Sequence, residues 1–380
     1  MLEFELQENQ NELNAIATIK VIGVGGAGGN TVNSMIDAGY KNIEFLVANT
    51  DAQALKLSKA HHKIQLGVKS TKGLGTGAHP EIGKRAAEED LDKILEIIGD
   101  ADVVFLAAGM GGGTGSGASP VIAKALKEKG ILTIAIVTKP FTFEGKRRMR
   151  TAQESIDALK KEVDTLIIIP NQKLLENVGP DVSMIEAFEM INDVLNQSIK
   201  GISDIITKPG HINVDFADLK TIMKDMGLAV MGTAKATGPN RAKEAAEKAI
   251  SSDLLENMSI KGAQSVLLNI TGGTNLGIYE ISQAASVIYE QADEDAHIIL
   301  GSVIDPQLKD EVTVTIIATG FLIQNEENKE LKIKGTKLDI DQKVEKSLVK
   351  NIELSKPVTL DNDDIDVPAY LRKELKNIEQ

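Results

Sequence analysis

The sequence predicts an α/β protein: a Rossmann-type parallel sheet joined by one long helix to a smaller α+β domain. Three observations carry this. Five short Ile/Val-rich runs, IATIKVIG (16–23), IEFLVAN (43–49), DVVFLAAG (102–109), ILTIAIVT (131–138) and TLIIIP (165–170), are separated by helical patterns. Near-continuous apolar runs of that length suit parallel strands buried on both faces. Then Met184, Ile185, Phe188, Ile191, Val194, Leu195, Ile199, Ile202 and Ile206 recur at steps of three and four, giving a helix over 183–206 whose apolar face is broad enough to be covered on more than one side. Beyond it, strands are expected at 228–236, 264–271, 297–304 and 311–319, with helices at 240–252 and 277–291.

The elements follow in order from a polar arm, residues 1–14. The first strand runs into the glycine turn GVGGAGGN (23–30), and a helix then ends near Gly39. The third run enters AAGMGGGTGSGASP (107–120), followed by PVIAKALKEKG, where Ser119 suits a helix cap, Pro120 the first turn and Gly130 the exit. The loop TKPGHINVDFADL (207–219) interrupts the long helix at Pro209 and Gly210. Residues 322–362 are charged and poor in bulky core residues, so they read as a flexible tether. A small apolar island, DIDVPAYLRKELK, lies at 364–376. The expected boundaries are thus 1–14 (arm), 15–182 (sheet domain), 183–206 (helix), 207–321 (second domain), 322–362 (tether) and 363–380 (tail).

Composition excludes several classes. At a net charge of −13 the chain is a poor coat for nucleic acid; the KRRMR run (146–150) is short and isolated against that charge. With no cysteine there are no disulfides or thiolate metal sites, and the five histidines show no metal-ligand spacing, so no metal ligands are assigned. The first residues lack a secretory pattern and no apolar run is long enough to span a bilayer. A cytoplasmic protein without direct membrane insertion is the expectation.

The chemistry sits in the glycines. A strand, a glycine turn and a helix start bring backbone N–H groups and a positive dipole end together, which favours an anion. Gly23, Gly25 and Gly28 fit G-x-G-x-x-G, which by itself is also an ordinary tight turn, and Asp51 in NTD could hold the ribose of a dinucleotide. A nicotinamide-dependent oxidoreductase is therefore the alternative. The second cradle, MGGGTGSG, follows another strand of the same sheet. Six glycines across Gly109–Gly117 each cost conformational entropy on folding. Two cradles suit a longer polyphosphate gripped from both sides, with hydroxyls from Thr114 and Ser116. No P-loop lysine motif is present, so compensation falls to backbone dipoles, a cation and Arg148. Asp215 and Asp218 stand three residues apart at the start of a helical segment and can share a face; acids facing a helix dipole are the plainer reading.

These residues carry a resemblance. VGGAGGN, ANTD, GLGTGAHPE, GMGGGTGSG, VTKPFTFEGKRR, the long helix and NVDFADL occur in that order from about Ile19 to Phe321. The chain resembles the FtsZ family of tubulin-like GTPases that divide bacterial and archaeal cells. The resemblance implies a GTP-binding domain at 15–182, a C-terminal activation domain carrying a catalytic loop at 207–321, and GTP/GDP as ligand with Mg²⁺ held mainly through phosphates and water. It implies that Gly26, Ala27, Gly28, Gly29 and Asn30 line the phosphates, that Gly112, Gly113, Thr114 and Gly115 wrap their terminal end, and that Ala78 lies in a loop sensing the γ-phosphate. Glu144 and Arg148 would meet ribose and phosphate; Phe188, otherwise a core residue by type, would stack on the base; Asn192 or Asp193 would pair with guanine N1 and N2 hydrogens. Asp215 and Asp218, with Asn213, would act on the nucleotide of the next subunit in a head-to-tail homopolymer, so that hydrolysis needs assembly. Residues 364–372 would bind membrane-tethering and regulatory division proteins, which places the chain at the midcell ring.

Overall fold

The computed structural model describes residues 17–40, 42–176, 181–208, 210–212, 214–252 and 260–321. The arm 1–14, the tether 322–362, the tail 363–380 and Asn213 lie outside the described residues.

The first half alternates strand and helix. β1 (Ile19–Val24) leads into α1 (Gly25–Asp37), β2 (Glu44–Asn49), α2 (Ala52–Leu57), β3 (His62–Gln65), α3 (Val68–Thr71), α4 (Pro80–Glu89) and α5 (Leu91–Ile98). Then come β4 (Val103–Gly109), α6 (Thr114–Glu128), β5 (Leu132–Lys139), α7 (Lys146–Leu159), β6 (Thr165–Pro170) and α8 (Asn171–Glu176). The long helix α9 is Met184–Thr207. After it follow β7 (Gly210–Ile212), α10 (Phe216–Met223), β8 (Gly227–Thr237), α11 (Arg241–Ile250), β9 (Ser265–Gly272), α12 (Ile278–Tyr289), β10 (His297–Ile304) and β11 (Glu311–Thr319).

These strands form one sheet in the order β3-β2-β1-β4-β5-β6-β8-β11-β9-β10-β7. β1 to β6 are parallel throughout. Both faces are covered, as the apolar runs require: Val103 and Phe105 of β4 pack on the α1–α9 side, while Val104 and Leu106 pack on the opposite side with α5 and α6. β8 spans the two halves. Its first residues, Gly227–Ala229, pair in parallel with β6, and the rest pairs antiparallel with β11. A separate core beneath β8–β11 is filled by the alanines of α11 and by α12.

α9 starts with a reciprocal cap: Ser183 Oγ accepts from the Glu186 N–H at 3.2 Å, and Glu186 Oε2 accepts from the Ser183 N–H at 2.8 Å. The middle of the helix is buried on more than one side, down to Asp204, which is paired with Lys200 and, at 3.0 Å, with Lys208. Its first turn differs from the sequence expectation: Met184 and Ile185 are each 69% exposed. At about 1.5 Å per residue the 24-residue helix is some 36 Å long.

α6 also departs from the expected boundaries. It begins at Thr114, so the second half of the glycine segment is the first turn of the helix, and Pro120 lies inside it. Ser119 is not the cap; its hydroxyl is enclosed without a hydrogen-bond partner. The cause is packing: a Cβ on Gly117 would lie 2.0 Å from the Pro80 carbonyl oxygen, so only a glycine helix can come this close to α4.

Candidate functional site

The strand order reverses between β1 and β4, and a crevice beyond the carboxyl ends of strands at such a switch point is where ligands sit in open α/β sheets. Both glycine turns open there. They bound a cavity of about 400 Å³, the size of a small-molecule site. α1 and α6 begin at its edge. Neither has a side-chain cap or an acid in its first turn, so the N–H groups and the positive dipole end of each await an anion.

The glycines divide by cause. Gly28 is needed for packing, because a Cβ would sit 2.3 Å from the Ala107 carbonyl oxygen. Gly113 is crowded by the loop after α3, with Thr76 Oγ1 1.9 Å from where its Cβ would be. Gly26 and Gly112 are different. A Cβ on either would meet no protein atom within 4 Å, and neither has positive φ. Neither packing nor backbone strain requires glycine at those positions, and both face the cavity. The open space beside them leaves room for a ligand to lie against the main chain.

Of the residues expected at the site, Gly26, Ala27, Asn30, Gly112, Gly113, Thr114, Gly115, Glu144, Arg148, Phe188 and Asn192 line this cavity. Gly28, Gly29, Ala78 and Asp193 do not: Gly28 faces the sheet, Ala78 is an exposed left-handed residue at φ 61°, and Asp193 is exposed. Ser116, expected to offer its hydroxyl to a ligand, instead accepts the Gly111 N–H at 2.8 Å and is buried. Glu144 is held by Arg148 and by the Phe141 N–H, which it accepts at 2.9 Å. Phe188 is 43% exposed, with its ring meeting Phe141 edge-on.

Sequence reasoning missed Thr76, Thr138, Pro140 and Asn171, which also line the cavity. Asn171 is 5% exposed and its Oδ1 has no hydrogen-bond partner, a costly state for a buried acceptor and one that a donor on a ligand would relieve. The signal was available in IIIPN: a polar residue directly after a buried strand, at the carboxyl end of the sheet.

Asn192 is tied to α1, its Oδ1 accepting from the Thr31 hydroxyl at 3.4 Å. One turn on, Asn196 Nδ2 donates to Ser34 Oγ at 2.7 Å. The Tyr40 hydroxyl donates to the Asn196 carbonyl at 3.4 Å; burial, then the charges of Asp204 and Asp193, push its pKa far up, so it stays a neutral donor.

Asp215 and Asp218 lie elsewhere. α10 carries them, and its Phe216 and Lys220 line a groove with residues 99–102 and 129–131, just before β4 and β5. The cavity lies past the far ends of those strands, which places the two features roughly 23 Å or more apart at about 3.3 Å per strand residue. Asp215 is the cap of α10, accepting the Asp218 N–H at 2.7 Å, and the Asp218 side chain is exposed. The plainer reading of Asp215 as a helix-start acid is thus realised. Asp51 is likewise a cap, accepting from the Gln53 and Ala54 N–H groups at 2.8 and 3.4 Å. Its Oδ1 serves the start of α2 and the residue does not line the cavity, which counts against the ribose contact of the oxidoreductase alternative.

Among the described residues no group of three or more His, Cys, Asp or Glu could hold a metal ion, and no helix is long and apolar enough to cross a membrane.

Residues 18–179 match the model of the Tubulin/FtsZ family, GTPase domain, and residues 227–322 that of the FtsZ family, C-terminal domain. A solved structure described as an empty FtsZ dimer of M. jannaschii is 43% identical, covers 80% of this chain and 88% of its own, and superposes with a TM-score of 0.77. CetZ1 from Haloferax volcanii, a GDP-bound monomer, is 24% identical over 84% of this chain and 99% of its own, with a TM-score of 0.70. CetZ2 of that organism, a GTPγS-bound protofilament, is 19% identical over 86% of this chain and 99% of its own, with a TM-score of 0.68. At those identities the two CetZ structures speak to the fold.

Proposed function

The chain belongs to the Tubulin/FtsZ family of GTPases, and on that premise we propose that it binds GTP in the cavity between α1 and α6 and hydrolyses it only when copies assemble head to tail. The carrying observation is the separation of parts. Main-chain donors for the phosphates lie at one end of the parallel sheet, and the acid-bearing start of α10 lies at the other. A carboxylate at the opposite end of the sheet serves a bound nucleotide only if it belongs to a neighbouring copy. Such a heterologous contact repeats into an open filament when its rotation does not close. The solved FtsZ structure at 43% identity is a dimer, which supports association between copies.

In this reading Gly26, Ala27, Asn30 and Gly112–Gly115 hold the phosphates through N–H groups, with Arg148 adding charge. Glu144, braced by Phe141, meets the ribose. Phe188 stacks on the base, and Asn192 and Asn171 read its edge. Asp218, with Asn213, orients the water that attacks the γ-phosphoryl, while Asp215 shapes the start of α10. A magnesium ion would be held mainly through phosphate oxygens and water, and when bound it would supply neutralisation of phosphate charge. We propose that these filaments form the division ring in the cytoplasm, with residues 364–372 as the peptide for membrane-tethering and regulatory partners.

The test is phosphate release and light scattering against protein concentration, with GTP and Mg²⁺. The rate per chain should rise steeply at the concentration where scattering begins. A rate per chain that is the same above and below that concentration overturns the proposal.

A further inference from the structure

We propose that Thr50, which does not line the cavity, is the positioning residue that sets the direction of the Thr114 hydroxyl toward phosphate; this rests on the reading of the cavity as a nucleotide site. The two hydroxyl oxygens are 2.7 Å apart, and either could donate. Thr50 is wholly buried and Thr114 is 9% exposed, on the cavity wall. Among the described residues neither hydroxyl has another hydrogen-bond partner.

Proton counting decides the direction. Each hydroxyl has one proton. A phosphate oxygen offers only lone pairs, so Thr114 must donate to it. Toward Thr50, Thr114 can then only accept, and Thr50 must donate. The result is a chain, Thr50 to Thr114 to phosphate, in which each bond polarises the next. Without the Thr50 donor, the Thr114 oxygen keeps an unsatisfied lone pair in a buried place and its hydroxyl loses its fixed direction.

Thr50 also joins the two loops on this side of the cavity. Its carbonyl accepts the Gly75 N–H at 3.3 Å, and Gly75 precedes Thr76, which lines the cavity opposite Gly113. One buried residue at the end of β2 therefore fixes the α6 start by its side chain and the 73–76 turn by its main chain. Only the first of these contacts is lost when the hydroxyl is removed, so the two can be separated by mutation.

The experiment measures the affinity of a fluorescent GDP analogue for the full chain, below the concentration at which scattering appears. The variants are Thr50→Val, Thr50→Ser, Thr114→Val and the double Thr50→Val/Thr114→Val, each with a thermal melt of the nucleotide-free protein. Thr50→Val should weaken binding about fivefold, as expected for one hydrogen bond. Thr50→Ser should bind as the wild type does. In the Thr114→Val background Thr50→Val should cost nothing further, because its effect passes through Thr114. Equal affinity of Thr50→Val and wild type overturns the inference, and so does full additivity in the double variant. If Thr50→Val fails to fold, Thr50→Ala decides beside Thr50→Ser: a loss of about fivefold in the first with wild-type binding in the second supports the inference, and equal binding of the two overturns it. Failure of the wild type to bind any guanine nucleotide would instead overturn the functional reading itself.

Discussion

Phe188 on α9 meets Phe141, in the turn after β5, edge-on, with ring centroids 5.6 Å apart and planes at 85°. Phe141 is buried at 2% exposure while Phe188 is 43% exposed. The buried ring holds the other upright against the cavity and leaves Phe188 little work in the core. Phe188→Ala should therefore cost under about 1 kcal/mol in a denaturant titration, yet weaken nucleotide binding by about 1–3 kcal/mol, the usual worth of a base-on-aromatic stack. A stability loss as large as the affinity loss would return Phe188 to the core.

The same separation applies to the glycines. Gly26→Ala places a methyl group in open space inside α1, where alanine is favoured over glycine by roughly 0.5–1 kcal/mol, so the protein should melt at the same temperature or slightly higher. Gly112→Ala should be neutral to stability. Both should lose nucleotide affinity by roughly tenfold or more, since the methyl group occupies the space the phosphates need. Gly28→Ala should do the opposite: its methyl meets the Ala107 carbonyl oxygen, and overpacking of about 1–3 kcal/mol should appear as a lowered melting temperature.

These contrasts show how far the sequence carries. The parallel strands were legible because β1, β4 and β5 are buried on both faces and so are dominated by apolar residues. β10 and β11 occupy the expected spans to the residue. The site was legible as two glycine turns. What could not be read was which glycine serves the fold and which the ligand, because Gly28 and Gly26 are the same letter and differ only in what stands opposite their missing Cβ. The start of α6 was obscured for a related reason: Pro120 mimics a first-turn proline, and the helix begins six residues earlier because glycine permits contact with α4. Asn171 was passed over because its significance lies in a partnerless oxygen, a property of three-dimensional surroundings.

In the C-terminal half, Arg241 and Glu280 tie α11 to α12. Arg241 Nε donates to Glu280 Oε1 at 2.7 Å, and Glu280 Oε2 also accepts the Gly277 N–H at 2.9 Å. The Arg241 hydrogen bond, with help from Gly277, holds the Glu280 carboxyl below its ordinary pKa. A depressed carboxylate contributes its stability above its unfolded value, about 4.3, and loses it as pH falls through the folded value. Glu280→Gln should thus destabilise the protein by about 2 kcal/mol at pH 7. The gap between urea titrations of wild type and variant should narrow as pH falls below about 4.3; a gap that stays constant down to about pH 3 would mean the charge of Glu280 contributes nothing.

The division of labour between copies gives the sharpest expectation. Asp218→Ala should leave nucleotide affinity within about twofold of wild type, because α10 stands at the far end of the sheet from the cavity, and should slow turnover by about 100-fold or more, as loss of a water-orienting group does. Asp215→Ala should add a stability loss of about 1 kcal/mol, since Asp215 caps the helix. At a GTP concentration that saturates the wild type but not the weakened site, Gly112→Ala keeps both acids and holds little nucleotide. Each variant alone should be nearly inactive. At equal mixing, a junction works only where an Asp218→Ala copy supplies the nucleotide and a Gly112→Ala copy supplies the acid, which random assembly allows at about one junction in four. Phosphate release from the mixture should therefore exceed the sum of the separate rates and approach about a quarter of wild type. A mixture no faster than that sum, under conditions where both chains co-sediment, would place the acid and the nucleotide in the same copy and contradict the geometry of α10.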